Sequence, residues 1–333
     1  MAPRGRVALF GLGPWGRNLH RVLSELGELR ATWDPDPAAA DFAAPDVRAT
    51  SAEAALADAK VEAVAIASPA STHFELARAA LRAGKDVFVE KPLCLDPREG
   101  EALVDLADRE GRVLMVGHVV VYHPAILALK AEIDAGRLGR VRYVYSNRLN
   151  LGVVRPTENI LWSFAPHDFA ALLHLLGEAP TRVQAVGHSY LKPDRADVTV
   201  THLEFPHGVR GHLFVSWLHP WKEHRLVVIG DRRMATFVDD GQGGALTIHD
   251  VGVEQVGDVA VHRRNGGTPV PLPPQEPLRL ELAHFLECCD RREEPLTGGR
   301  HGAEVVRLLW TADESLRRGG APLPFVGDPR RPR

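Results

Sequence analysis

The chain has 333 residues, 45% of them apolar and 25% charged, with a formal net charge of −3. That length suits two domains with sizeable cores, and the near-neutral charge gives no electrostatic reason to bind nucleic acid or a membrane surface. Cys94, Cys288 and Cys289 lack metal-ligand spacing and make no disulfide framework; with no signal-peptide stretch and no apolar run of the ~18 residues that a span needs, a cytoplasmic, metal-free protein is expected.

The first predicted strand is the apolar run Val7–Phe10, and it leads into Gly11, Gly13 and Gly16, with Pro14 and Trp15 between them. This is the G-x-G-x-x-G spacing at the end of a strand and the start of a helix. Gly11 allows a tight turn, Gly13 lets the backbone approach a pyrophosphate, and Gly16 lets the helix pack close to the strand. The first helical N–H groups and the helix dipole favour an anion there. A helical pattern runs on from Arg17. Leu29–Trp33 reads as a second strand ending at Asp34, 18 residues past Gly16. An acid at that distance takes the adenosine ribose hydroxyls and repels a 2′-phosphate, so NAD is the expected dinucleotide. Asp34-Pro-Asp-Pro37 is otherwise only a turn.

Val61–Ala67 is a buried strand, and 75–83 a helix closed by Gly84. Asp86–Glu90 is the next strand, 97–110 a helix ending at Gly111, and Arg112–Gly117 a further strand. Alternating strands and helices predict a parallel sheet with helices on both faces, so residues 1–121 read as a dinucleotide-binding domain. The pattern then changes. A helix is expected at 124–135, followed by strands at 141–149, 182–189, 198–205, 209–218, 226–229 and 235–238. A helix at 167–176 interrupts them, and two more, at 277–291 and 301–317, close the chain. Residues 122–333 therefore read as an α+β domain with an open, mostly antiparallel sheet.

Ligands in a doubly wound sheet bind outside the carboxyl ends of the strands, and several polar residues fall there. Lys91, in Glu90-Lys91-Pro92, follows a strand, and a neighbouring cationic nicotinamide would lower its pKa; a solvated strand-end lysine is the alternative. His118 ends the next strand at the same edge. His73 opens a helix. His167 follows Pro166 at the expected start of the 167–176 helix, where an imidazole stays neutral and can act as a base, or simply caps; Asp168 reads as an N-cap. Arg148, Asn150 and Arg155 lie at a strand end and in the following loop. An arginine there either clamps a carboxylate or phosphate or is merely solvated.

Gly11-Leu-Gly-Pro-Trp-Gly16, Ser68-Pro-Ala-Ser-Thr-His73, Ala83-Gly-Lys-Asp-Val-Phe-Val-Glu-Lys-Pro92 and His167 occur in the order and at the distances of the Gfo/Idh/MocA family (glucose–fructose oxidoreductase and inositol dehydrogenase). The chain resembles that family over nearly its whole length. The resemblance implies a Rossmann domain followed by an α/β domain with an open sheet. It also implies an NAD-dependent oxidoreductase that acts on a secondary alcohol or ketone of a sugar, cyclitol or nucleotide sugar. Lys91 and His167 are then the proton-handling pair. Ser68, Pro69 and Glu90, with His73, lie toward the nicotinamide half of the cofactor, and the open sheet face makes a homodimer or homotetramer. Many members carry Asp four residues before the histidine; here it is Ser163. The stretches 146–152 and 159–168, which hold Arg148, Asn150, Asn159, Trp162 and Ser163, are similar to a subgroup of nucleotide-sugar pathways. A UDP-hexuronate or UDP-N-acetylhexosamine oxidised at C3 is the expected substrate. The alternatives are a free-sugar or inositol dehydrogenase and a non-catalytic NAD(H) sensor.

Overall fold

A computed structural model describes residues 5–152, 154–155, 157–239, 241, 243–328 and 330. In chain order the elements are β1 (Val7–Phe10), α1 (Gly16–Glu25), β2 (Leu29–Trp33), α2 (Pro37–Ala40), α3 (Ala52–Ala57), β3 (Ala63–Ile66), α4 (His73–Arg82), β4 (Asp86–Glu90), α5 (Pro97–Glu110) and β5 (Leu114–Gly117). There follow α6 (Pro124–Asp134), β6 (Val141–Leu149), α7 (Ile160–Leu176), β7 (Arg182–His188), β8 (Val198–Glu204), β9 (Arg210–Ser216), β10 (Glu223–Gly230), β11 (Met234–Val238), β12 (Ala245–Val256), β13 (Val259–Pro269), α8 (Pro277–Arg291), α9 (Gly299–Arg317) and β14 (Leu323–Pro324).

Two compact units form. One holds residues up to Val119 together with Glu276–Arg307, and the other holds Val120–Gln275 and the chain from Leu308 onward. The sequence divides at 121/122, but α8 and the first half of α9 return to the first unit.

The first unit is built on a five-stranded parallel sheet in the order β2-β1-β3-β4-β5. Its strands are near-continuous apolar runs because both faces are covered; Val7–Phe10, Val64–Ile66 and Val87–Val89 are all fully buried. Register aligns Phe10 with Ile66, Ile66 with Val89, and Val89 with Val116. The residues that follow, Gly11, Ser68, Lys91 and His118, thus collect along one carboxyl edge. The helices are closed by local chemistry: Asp96 accepts from the Arg98 N–H to cap α5, and Gly111 ends it in the left-handed region.

The second unit carries a nine-stranded sheet, β13-β12-β11-β10-β6-β9-β8-β7-β14. Every neighbouring pair is antiparallel except β6–β9, which matches the expected open, mostly antiparallel sheet. Helix α7 packs on β6, β8 and β9 and buries Leu161, Phe169 and Leu172.

Two elements differ from the reading of the sequence. Helix α7 starts at Ile160, not at 167. Asn159 caps it by accepting the Trp162 N–H at 3.1 Å, and Pro166 lies inside the helix. A proline there removes one donor and crowds the carbonyl four residues earlier, a cost of about 3 kcal/mol that packing of α7 on the sheet offsets. The long β12–β13 hairpin was not expected. Its two-residue turn, Gly257-Asp258, is a hairpin signal, but irregular alternation in the flanking residues hides the strands. Among the described residues no helix is long and apolar enough to cross a membrane.

Candidate active site

The glycine loop has the shape that its spacing predicts. Gly11 has φ +95°, and a Cβ there would sit 2.6 Å from the Ala67 and Ser68 backbone. A Cβ on Gly16 would meet the Gly11 carbonyl oxygen at 2.1 Å. These two glycines are required by the protein's own packing. Gly13 is different: a Cβ there would meet nothing within 4 Å. Its bareness leaves open space against the backbone, as a cradle for a ligand does. Asp34 lies beside the loop and accepts the Leu12 N–H at 2.7 Å and the Asp36 N–H at 2.9 Å. These bonds fix the carboxylate at the end of β2 with acceptor capacity left over. A bare glycine cradle and a fixed acid together fit a dinucleotide with free ribose hydroxyls.

At the end of β4 stands Glu90. Its carboxyl group accepts from the Trp15 indole N–H, and from the Lys91 N–H at 3.2 Å. A Cβ on Gly117 would come within 3.0 Å of that carboxyl group, so any larger residue there would press the carboxyl out of place. Burial raises the Glu90 pKa above the ordinary carboxylate value. The indole N–H of Trp15 is turned toward Glu90 although the residue is 42% exposed, so the glycine loop and the lysine-bearing turn are tied by one hydrogen bond.

His73 is buried and links two loops of this edge. Its Nδ1 faces the Pro92 carbonyl at 2.8 Å and its Nε2 faces the Ser68 carbonyl at 2.9 Å. Burial lowers its pKa. It therefore fixes the backbone around Ser68, Pro69 and Lys91 rather than reaching toward a ligand. Ser68 pairs through its hydroxyl with Thr72 at 2.7 Å. His118 is fully buried at the end of β5, its ring edge-on to His301 with centroids 5.4 Å apart. Among the described residues neither of its nitrogens meets a hydrogen-bond partner. Burial, and then the charge of Lys91, push its pKa down to about 3, so it is a neutral imidazole.

In the second unit Asn159, Ser163 and His167 lie four residues apart along α7 and share one face of it. His167 is half-buried in mid-helix, seven residues past the start of α7, so the helix N-terminus expected beside its ring is not there. Asp168 does not cap; it is buried and bonded to β6. Arg148 donates to it through Nε at 2.8 Å and Nη2 at 3.2 Å, and the Ser146 hydroxyl donates at 2.6 Å. The guanidinium expected to clamp a ligand is thus committed to Asp168. Asn159 binds Asp313 at 2.8 Å as well as capping α7. Asn150 is anchored by its N–H to the Ser216 carbonyl at 3.1 Å, and Arg155 is exposed in the following loop. Trp162 is half-buried.

Two groups escaped the reading of the sequence. His224, opposite Arg148 in the β6–β10 register, has Nδ1 at 3.4 Å from Asp239. The histidine hydrogen bond holds the Asp239 carboxyl well below its usual range. Glu281 is fully buried on α8, one turn before Phe285. An acid within the otherwise apolar stripe Leu278, Leu282, Phe285 was the available signal.

Comparison with known proteins agrees with this geometry. Residues 5–118 match the model of an oxidoreductase family with an NAD-binding Rossmann fold, and residues 126–236 match the GFO/IDH/MocA C-terminal domain. The chain is 28% identical over 305 residues to UDP-N-acetylglucosamine 3-dehydrogenase of Acidithiobacillus ferrooxidans, covering 90% of this chain and 94% of that one. A solved structure of the Acidithiobacillus ferrooxidans enzyme superposes with a TM-score of 0.83 at 26% identity, covering 94% and 98% of the two chains. A scyllo-inositol 2-dehydrogenase (NAD(+)) of Bacillus subtilis is 28% identical over 280 residues, covering 79% and 78%. A structure of an inositol dehydrogenase homologue from Azotobacter vinelandii, complexed with NADH and myo-inositol, shares the fold with a TM-score of 0.79 at 22% identity. The chain belongs to the Gfo/Idh/MocA family and is an NAD-dependent oxidoreductase.

Proposed function

We propose that the protein oxidises a secondary alcohol of a nucleotide-linked sugar, of the UDP-N-acetylhexosamine or UDP-hexuronate type, at C3, or reduces the corresponding ketone. The observation that carries this reading is similarity to a UDP-N-acetylglucosamine 3-dehydrogenase along almost the full length of both chains. NAD, when bound, would supply hydride acceptance and return at its nicotinamide ring. The glycine loop would hold the pyrophosphate, Asp34 the adenosine ribose, and Trp15, Ser68, Pro69 and Glu90 the nicotinamide half.

Lys91 and His167 handle the proton. One takes the hydroxyl proton as the C–H bond gives up its hydride, and the other hydrogen-bonds the developing alkoxide. A positioned base of this kind is worth ~10²–10⁴ in rate. Ser163 stands four residues before His167 and offers a hydroxyl, which donates or accepts a hydrogen bond but holds no negative charge. The base role therefore rests on Lys91 and His167. Arg148 acts through Asp168 to hold α7 on β6, which leaves exposed Arg155 as the candidate for the substrate's diphosphate or carboxylate. His118 presents a neutral imidazole to the same sheet edge as Lys91. A cytoplasmic homodimer or homotetramer formed on the open sheet face completes the reading.

Similarity to inositol dehydrogenases supports a second reading, a free-polyol dehydrogenase. The two separate by substrate. Initial rates of NAD⁺ reduction with UDP-N-acetylglucosamine, UDP-glucuronate, the free sugars and inositols give kcat/KM for each. The proposal expects the nucleotide-linked sugars to exceed the free ones by at least ~100-fold, since a diphosphate clamp supplies charge-assisted hydrogen bonds. Equal or higher kcat/KM for free polyols selects the second reading. Tight NAD(H) binding with no turnover of any of them is the result expected of a sensor.

A further inference from the structure

Helix α8 runs along β4 in the opposite sense, and two matched contacts set its register. Asp86, Phe88 and Glu90 share one face of β4, because strand side chains alternate. Cys289, Phe285 and Glu281 share one stripe of α8, because each is one turn from the next. At one end Asp86 accepts from Arg292 at 2.7 Å, just past α8, and lies within hydrogen-bond reach of Cys289. In the middle Phe88 and Phe285 meet edge to face with centroids 5.8 Å apart. The same register brings Glu281 opposite Glu90.

Glu281 has 0% exposure, and among the described residues neither of its carboxyl oxygens meets a donor. Glu90 has donors on its other side, the Trp15 indole and the Lys91 N–H. Two carboxyl groups buried together cannot both carry charge. We propose that Glu90 and Glu281 hold one proton between them, Glu281 acting as the positioning residue, and that the pair takes up a second proton when a neutral, reduced nicotinamide replaces the oxidised, cationic one beside Glu90.

The oxidised ring is a cation and favours one negative charge on the pair. The reduced ring is neutral, so one of the two cations beside the buried charge is gone and only Lys91 remains, and solvent supplies a proton. Burial raises the pKa of both acids, most strongly that of Glu281. The other charged and titratable groups near this edge are Lys91 at the end of β4, His118 at the end of β5 with His301 of α9 edge-on to it, and His73 at the start of α4; Glu304 is buried one turn past His301 on α9. Asp86, Cys289 and Arg292 lie at the far end of the ladder. Buried neutral His118 cannot supply the missing charge, and Lys91 is present in both cofactor states.

Calorimetric titration of NAD⁺ and of NADH into the full chain, each in two buffers of different ionisation enthalpy, counts the protons exchanged. The proposal expects NADH to take up more protons than NAD⁺, by as much as one, and the NADH-to-NAD⁺ affinity ratio to fall by up to ~10-fold per pH unit through the titration. The isosteric Glu281→Gln variant keeps a neutral donor facing Glu90 and removes both effects. Equal proton uptake for the two ligands in the wild type, or an undiminished difference in Glu281→Gln, overturns the proposal. It rests on the nicotinamide lying against Glu90, and Glu90→Gln tests that separately: weaker NAD⁺ binding supports the placement, and unchanged binding removes it and the proposal together. No sugar is needed, so the substrate reading stands or falls on other data.

Discussion

Arg148 and Asp168 form a two-pronged ion pair, with Nε to Oδ2 at 2.8 Å and Nη2 to Oδ1 at 3.2 Å, and their side chains are 15% and 3% exposed. The pair joins β6 to α7 immediately beside His167. Removing one partner strands a buried charge, so Arg148→Ala costs about 3 kcal/mol of stability. Replacing both with apolar residues of similar volume costs far less. Denaturant unfolding of Arg148→Met, Asp168→Leu and the double variant that combines them measures the coupling. Additive losses would mean that the two residues act independently.

The glycine loop predicts a contrast between two equal substitutions. Gly16→Ala drives a Cβ into the Gly11 carbonyl and destabilises the first unit by about 2 kcal/mol through overpacking. Gly13→Ala places a methyl in open space and leaves the melting temperature unchanged. It weakens NAD⁺ binding by at least ~10-fold, equivalent to about 1.4 kcal/mol, because the methyl occupies the pyrophosphate's approach. Thermal melts beside equilibrium titration with NAD⁺ separate the two effects.

Asp34 predicts cofactor choice. In the proposed placement its carboxylate disfavours a 2′-phosphate by like charge, and Asp34→Ser removes that repulsion together with the proposed ribose contact. NAD⁺ affinity falls, and the preference for NAD⁺ over NADP⁺ narrows by at least ~10-fold, about 1.4 kcal/mol. Parallel titrations with both dinucleotides give the ratio. An unchanged ratio would show that Asp34 serves only its turn.

His118 predicts an acid-side loss of stability. Its pKa in the folded protein is pushed down to about 3, against about 6.5 in an unfolded chain. The unfolded state therefore binds the extra proton first. The stability of the neutral buried ring is complete above about pH 6.5 and declines toward pH 3, by up to ~1.4 kcal/mol per unit. Denaturant unfolding of the wild type and His118→Phe at several pH values reads the difference. Parallel pH profiles would contradict it.

What was legible in the sequence is what local rules encode. The glycine turn, the alternating strands and helices of the first unit and the turn after β4 each need particular residues within a short window. The start of α7 was misread because Pro166 has the look of a helix breaker; its cost is borne by packing on β6, β8 and β9, which the sequence does not display. The ends of two predictions moved with it: Asp168 proved to be a buried partner of Arg148, twenty residues away, and His167 lies in mid-helix. Long-range pairing also hid Glu281. The amphipathic stripe of α8 locates its buried face, and only the register against β4 shows what that acid meets.

In the proposed mechanism Lys91 and His167 handle the proton of an NAD-linked sugar oxidation. Single-turnover reduced-nicotinamide absorbance, with NAD⁺ bound and UDP-N-acetylglucosamine added, tests it in the wild type, Lys91→Met and His167→Asn. A rise is expected in the wild type, and a rate lower by ~10²–10⁴ in either variant, with NAD⁺ affinity retained in His167→Asn. Wild-type rates in either variant, or no rise with UDP-N-acetylglucosamine or other UDP-sugars in a wild type that binds NAD⁺ tightly, would contradict it.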